Sequence, residues 1–244
     1  MHSKLLQRYG VTTKVAGSDY NFRYQLMGER IAEEMSRLTS EMGVEPEVIY
    51  TAQQTHSANV AYCNGNNGET FVSGRIFENT DGLLTDQKGV GLLIKYADCT
   101  PVIIFDPANG VLANVHSGWR GTTQRIAVRA VEKMCRTFGS KVEDLIVYVG
   151  PSIDQDNYQV GPEVYAAFAN FSKRDDFFEP DGDKYRLSML DANVSSLLEA
   201  GIRKEHMEVE RASTYTDSRL HSARKEGAVY QLNGLFAMME KGLS

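Results

Sequence analysis

The sequence predicts an α+β fold: mixed β-sheets flanked by helices, in a single domain over residues 1–244. Three observations predict it. Short runs of β-branched and aliphatic residues, bounded by Gly, Pro, Asp or Asn, recur along the chain. Between them lie stretches whose apolar residues return at intervals of three and four. The runs between Val90 and Val115 also follow one another too closely for a crossover helix. Antiparallel or mixed pairing is therefore favoured over a doubly wound parallel sheet.

The first helix is expected over about Arg23–Met42. Leu26, Met27, Ile31, Met35, Leu38 and Met42 form its apolar stripe, and Gly43 sits where a helix stops. A strand follows over Glu47–Thr51. Asn64–Ser73, with its Asn-Gly-Asn-Asn-Gly run, reads as an exposed turn. Strands are expected at Val90–Tyr96, Val102–Phe105, Val111–Val115 and Leu145–Val149. The helix after Gly121 has a stripe of Ile126, Ala127, Ala130, Val131, Met134 and Phe138; Thr122 or Thr123 caps it and Gly139 ends it. Another helix starts at Gly161-Pro162, with proline in a favoured first-turn position. Ser172–Lys184 reads as a surface loop, and a last helix covers about Leu187–Ala200 before Gly201.

Composition narrows the function classes. The 26 basic and 32 acidic residues leave a formal charge of −6, so a nucleic-acid or anionic-membrane partner is not expected. Apolar residues are 42% and charged residues 24% of the chain, a globular balance. The apolar runs are far shorter than the roughly 20 residues of a bilayer span. Met1–Gly10 contains no apolar signal segment. Cys63, Cys99 and Cys135 are an odd set in a chain large enough to hold a core without staples. Reduced thiols and a cytoplasmic location are the expectation.

Chemistry is expected where strands end. His56 follows Gln53-Gln54-Thr55 after the first strand, Cys99 sits in Ala97-Asp98-Cys99-Thr100-Pro101 between two strands, and His116 ends Val111–Val115. Two imidazoles and a thiolate suit Zn2+ or Cu2+, and three protein ligands leave a position open for catalysis. The spacings match no short metal signature, however. A buried Cys is commonly a small core residue, and a strand-end His commonly a hydrogen-bonded one. The same residues also allow a hydrolase with Cys99 as nucleophile, His116 as base and Asp98 nearby. After His116, Gly118 and Gly121 let backbone approach a ligand. Arg120 beside the following helix could hold a phosphate or carboxylate, or be a surface arginine on a strand-to-helix turn.

A set of blocks in fixed order resembles a known family. They are Gln54-Thr55-His56, Thr80-Asp81-Gly82-Leu83-Leu84-Thr85, Ala97-Asp98-Cys99-Thr100-Pro101, His116-Ser117-Gly118-Trp119-Arg120-Gly121, Gly150-Pro151-Ser152-Ile153 and Tyr158-Gln159-Val160-Gly161. They look like the YfiH-type laccase-domain family, also called polyphenol oxidases, whose members act as zinc-dependent purine nucleoside enzymes. The resemblance runs from Thr12-Thr13 to Ser222–Gly227. It implies a fold similar to certain cysteine-hydrolase-like toxins. It implies His56, Cys99 and His116 as metal ligands, with Asp98 in the catalytic set. Substrate contacts are expected from Gln54, Arg120, Arg224 and Lys14. The implied activities are phosphorolysis of adenosine, inosine, guanosine and methylthioadenosine, and deamination of adenosine. The implied partners are purine nucleosides and phosphate, bound by a monomer or weak homodimer.

The copper alternative, a polyphenol oxidase, is disfavoured because several coppers need several clustered histidines and the chain has 5 in all. A Cys-dependent hydrolase in peptidoglycan precursor editing is a further role proposed within the family. The chain also departs from the family pattern. Lys14–Gln25 replaces an Arg-x-Gly-Gly and Ser-Leu-Asn-Leu block, with Lys14 standing in for the arginine. Asn157 replaces a cysteine, and Ala223 replaces an aromatic residue before Arg224.

Overall fold

The structure, a computed structural model, describes residues 1–72 and 74–241, so Ser73 of the expected turn and residues 242–244 of the expected domain lie outside it. Among the described residues, two six-stranded mixed sheets and one three-stranded sheet form the framework. The first sheet runs in the order Val11–Ala16, Asn233–Met239, Val90–Tyr96, Val48–Ala52, Gly74–Phe77, Glu69–Phe71. The second runs Met207–Val209, Ile146–Val149, Thr100–Asp106, Val111–Ser117, Gly82–Thr85, Val60–Tyr62.

The two large sheets pack face to face. Leu92, Ile94, Leu235 and Ala237 of the first meet Ile103, Phe105, Leu112 and Tyr148 of the second in one core layer. Alternate residues on the same strands face outward. Leu93, Phe236 and Met238 pack under helix Ile31–Met42. Val102, Ile104, Val111, Ala113 and Val115 pack under helices Ile126–Phe138 and Met189–Glu199. Both faces of the central strands are therefore covered. This is why they read as unbroken apolar runs although each obeys the period of two.

Consecutive strands do not all pair. Thr100–Asp106 and Val111–Ser117 form an antiparallel pair, as expected. Val90–Tyr96 instead joins the other sheet, antiparallel to Asn233–Met239 and parallel to Val48–Ala52. The chain thus changes sheet across Ala97-Asp98-Cys99, which sets Cys99 at the end of the inter-sheet layer.

Other expectations are corrected in detail. The helix over Arg23–Met42 is broken at Gly28, where φ is +56°, into Tyr24–Met27, a tight turn and Ile31–Met42. The helix after Gly121 is two segments, Trp119–Thr123 and Ile126–Phe138, the second entered through a left-handed Arg125 rather than a threonine cap. Gly43 and Gly139 end their helices in the left-handed conformation. Ser172–Lys184 holds one strand and begins another: Phe178–Asp181 and Lys184–Leu187 form a hairpin closed at Gly182, where φ is +65°. Residues 64–73 include the short strand Glu69–Phe71.

Candidate metal centre

His116 reaches the centre through strand alternation. Leu112 and Asn114 face the first sheet, Asn114 through Nδ2 bonds to the carbonyls of Leu92 (3.1 Å) and Leu235 (2.8 Å). His116 continues that face at the strand's end. Cys99 arrives on the sheet-changing turn, and His56 on the segment leaving Val48–Ala52. Their ligating atoms all lie within 4.8 Å of one another. The two imidazoles meet edge to face, with ring centroids 5.1 Å apart. Gly118 leaves the space: a Cβ there would stand 2.3 Å from His56 Nδ1 and 3.0 Å from Cys99 Sγ.

Asp81, which is fully buried, holds the group in place. Its Oδ1 lies 2.8 Å from His116 Nδ1 and accepts the His56 N–H at 3.1 Å. Its Oδ2 accepts the N–H groups of Thr55 and Ser57 and the Ser57 hydroxyl. Its own carbonyl accepts the His116 N–H at 2.7 Å. These bonds hold His56 at a φ of +59°, outside the usual range for a residue with a side chain. One carboxylate therefore sets both the ring orientation of His116 and the backbone of His56.

Charge follows geometry. Burial alone would push the Cys99 thiol up. The charge and hydrogen bond of His116, with the hydrogen bond of His56, outweigh it and hold the thiol at about 6. Burial alone would lower His116, but the Cys99 thiolate and Asp81 raise it to about 9. Burial would likewise raise Asp81, yet His116, Ser57 and Thr55 bring it to about 2. Without a metal the centre is a thiolate–imidazolium pair anchored on a carboxylate.

The residues fit a metal ion. His56 Nδ1 is buried and has no hydrogen-bond partner, an uncommon state that ligation would satisfy. Asp81 engages His116 Nδ1, leaving Nε2 as the ligand, the usual carboxylate–histidine–metal relay. The thiol is already ionised near neutrality. Two nitrogens and one sulfur suit zinc or copper.

The centre opens into a cavity of about 630 Å³, within the range of small-molecule sites. Phe22, Tyr24, Phe71 and Tyr230 supply its aromatic wall, and Gln54, Lys95, Glu69 and Glu78 are among its polar residues. Tyr24 and Phe71 lie with ring centroids 5.3 Å apart.

The remaining expected site residues are placed differently. Both oxygens of Asp98 are engaged, Oδ1 by the Thr214 hydroxyl and Oδ2 by the Arg224 N–H, each at 2.7 Å. With a φ of +81°, Asp98 shapes the turn that carries Cys99. Gln54 lines the cavity, but its amide bonds the backbone of Lys95 in both directions, at 2.5 and 3.0 Å. The Arg120 guanidinium is 4.2 Å from the Trp119 ring, and that of Arg224 donates to the Gln159 carbonyl. Neither residue is among those that line the cavity. Lys14 pairs with Glu41 at 2.6 Å and lines a separate cavity of about 290 Å³, on the strand at the far edge of the first sheet. Sequence reasoning missed Asp81 and Lys95 as site residues. For Asp81 the signal was an acidic residue directly before the buried strand Gly82–Thr85.

Comparison with known proteins assigns the family. Residues 6–238 match the family described as multi-copper polyphenol oxidoreductase laccase. The chain belongs to this family. Among its relatives, a purine nucleoside phosphorylase of Bacteroides thetaiotaomicron is 30% identical over 82% of this chain and 76% of that protein. An adenosine deaminase, RL5, from an unknown prokaryotic organism is 33% identical over 81% of this chain and 78% of that protein. The fold of this laccase-family chain is that of the Bacillus licheniformis hypothetical protein YfiH, at a TM-score of 0.88 and 23% identity, covering 97% of this chain and 94% of that one. YlmD of Geobacillus stearothermophilus has a TM-score of 0.84 at 24% identity, covering 95% and 93%.

Proposed function

We propose that this protein is a zinc-dependent purine nucleoside phosphorylase that also deaminates adenosine. The observation that carries the reading is the convergence of His56, Cys99 and His116, oriented by Asp81, at the base of an aromatic-walled cavity of about 630 Å³. The names of the two relatives support it. Adenosine, inosine, guanosine and methylthioadenosine are the proposed nucleosides.

His56, Cys99 and His116 would hold the zinc, which would supply Lewis acidity toward an oxygen of water or phosphate. The chain's own residues do the rest. Asp81 keeps the His116 ring in one orientation, and Cys99 reaches its ligating form near neutrality. Tyr24 and Phe71 present apolar rings against which a purine can pack. Asp98 holds the Cys99 turn against the segments carrying Thr214 and Arg224. Among the described residues this is the one such group of ligating side chains, which suits a single ion better than a multicopper array. Cys63, Cys99 and Cys135 form no disulfide, in keeping with the proposed cytoplasmic setting; a monomer or weak homodimer is the proposed assembly. No helix among the described residues is long and apolar enough to cross a membrane.

The test is incubation of zinc-loaded protein with adenosine and phosphate. Adenine with ribose 1-phosphate, together with inosine, is the expected outcome; the absence of all three overturns the reading. A second reading has one observation in its favour. The Cys99–His116 pair, with a thiol at about 6 and an imidazole at about 9, is the pairing of a cysteine hydrolase. It requires amide hydrolysis by metal-free protein that alkylation of Cys99 abolishes.

A further inference from the structure

Lys95 is the one lysine or arginine among the residues lining the cavity that holds the candidate metal centre. It sits near the end of Val90–Tyr96, and its ammonium donates to the Ala52 carbonyl at 2.9 Å. Ammonium carries three N–H donors. Among the described residues that carbonyl is its one hydrogen-bond partner, and no carboxylate lies within ion-pair distance. Burial without a charged partner draws its pKa down to about 8, so the group remains mostly cationic at pH 7. The ammonium is half-buried on the cavity wall, and the donors that Ala52 does not use face the cavity, where an anion can accept them.

Its surroundings hold it in place. Gln54 Nε2 donates to the Lys95 carbonyl and Gln54 Oε1 accepts the Lys95 N–H, so the backbone beneath the side chain is fixed. Gln54 stands two residues before His56, and Lys95 four before Cys99. One clamp therefore ties the segment bearing one ligating residue to the strand leading to another. The arginines beside the motif, Arg120 and Arg224, spend their guanidinium groups on Trp119 and Gln159.

We propose that Lys95 binds inorganic phosphate in the cavity and thereby sets the balance between phosphorolysis and deamination. Gln54 acts through it as a positioning residue. The inference rests on the function proposed above. In phosphorolysis a phosphate oxygen forms the bond to C1′ as the C1′–N9 bond breaks. The bonding pair leaves with the purine, and the proton of hydrogen phosphate passes to the purine nitrogen. Deamination consumes water and releases ammonia, with no anion as reactant. Loss of the Lys95 charge therefore acts mainly on the first reaction.

The experiment compares wild type, K95M and K95R as zinc-loaded proteins, with inorganic phosphate as the probe. In steady state, K95M is expected to raise the KM for phosphate about tenfold or more, the scale of one hydrogen bond to a charged group. The phosphorolysis-to-deamination ratio falls with it, and K95R recovers part of the phosphate KM. Equal loss of both reactions in K95M, or an unchanged phosphate KM, overturns the proposal. Phosphate binding without nucleoside is read separately by 31P NMR. Weakening about tenfold in K95M supports the site even where no nucleoside turns over, a result that would remove the function proposed above and leave Lys95 as an anion site. Equal phosphate affinity in wild type and K95M, or none in wild type at millimolar phosphate, overturns it. Should K95M fail to fold, K95R and K95Q carry the same comparison.

Discussion

The two sides of the cavity are built in opposite ways. On the metal side, Asp81 is 0% and His116 5% exposed, and one carboxylate engages the side chain or backbone of four other residues. On the aromatic side, Tyr24 is 45% exposed, and Arg23 covers Tyr230 at 4.0 Å. Of the residues that depart from the family pattern, Phe22, Tyr24, Gln25 and Ala223 line the cavity, whereas Lys14 and Asn157 do not. The metal side is thus held by buried hydrogen bonds that tolerate little change, while the wall can vary and, under the proposed function, tune which nucleoside fits.

The comparison breaks first at the ligands. Cys99→Ala and His116→Ala are each expected to abolish stoichiometric zinc, measured by elemental analysis, and with it both activities. Next in size is Asp81→Asn. It is expected to weaken zinc about 10–100-fold, as loss of a carboxylate behind a ligating histidine does. Metal-free D81N is also expected to lose roughly 2–4 kcal/mol on denaturant unfolding, the cost of disrupting a buried hydrogen-bonded pair. The sign with pH follows from the lowered carboxyl. The stability that Asp81 contributes is fully present above the ordinary carboxylate pKa of 3.8 and is lost as pH falls through about 2. Unfolding curves of wild type and D81N should therefore converge only in strong acid.

The thiol reports the same network. In metal-free protein, alkylation of Cys99 is expected to stay fast down to pH of about 6 and to slow below it, because a lowered thiol pKa keeps thiolate above that value. A rate that rises only above pH of about 8, as for an unperturbed cysteine, contradicts the pairing with His116. On the wall, Tyr24→Ala is expected to cost about 1 kcal/mol of nucleoside binding, the low end for a base–aromatic stack. It should appear as a several-fold rise in the KM for adenosine with a smaller change in kcat. Smallest is Lys14→Met, expected to leave the phosphate KM unchanged and stability within about 1 kcal/mol, since it removes a half-exposed ion pair.

Much of this was legible in the chain. Val90–Tyr96 was read to the residue, because a strand buried on both faces shows a continuous apolar run between turn residues. His56, Cys99 and His116 were legible as strand-end candidates whose spacing matches no metal signature, and the resemblance of their motif blocks to the family is what marks them as ligands. The terminal strands Val11–Ala16 and Asn233–Met239 were not legible. They pair only with each other and with the distant Val90–Tyr96, and their composition is ordinary. Asp98 drew attention beside Cys99, yet the carboxylate that orients the histidine is Asp81, brought opposite His116 by the register of Gly82 with Val115. Lys95 carries no signal in the sequence, because nothing local tells a solvated lysine from one in a cavity wall.

Residue types and their order along the chain were enough to define the donor chemistry and the alternation that buries each strand, since both are local properties. Which strands became neighbours, that the chain changes sheet at Cys99, that Asp81 stands buried behind His116 and that Lys95 faces the cavity were decided by packing alone. Sheet pairing and side-chain burial depend on partners tens to hundreds of residues away. Their free energy exists only once both sheets have closed around a common core.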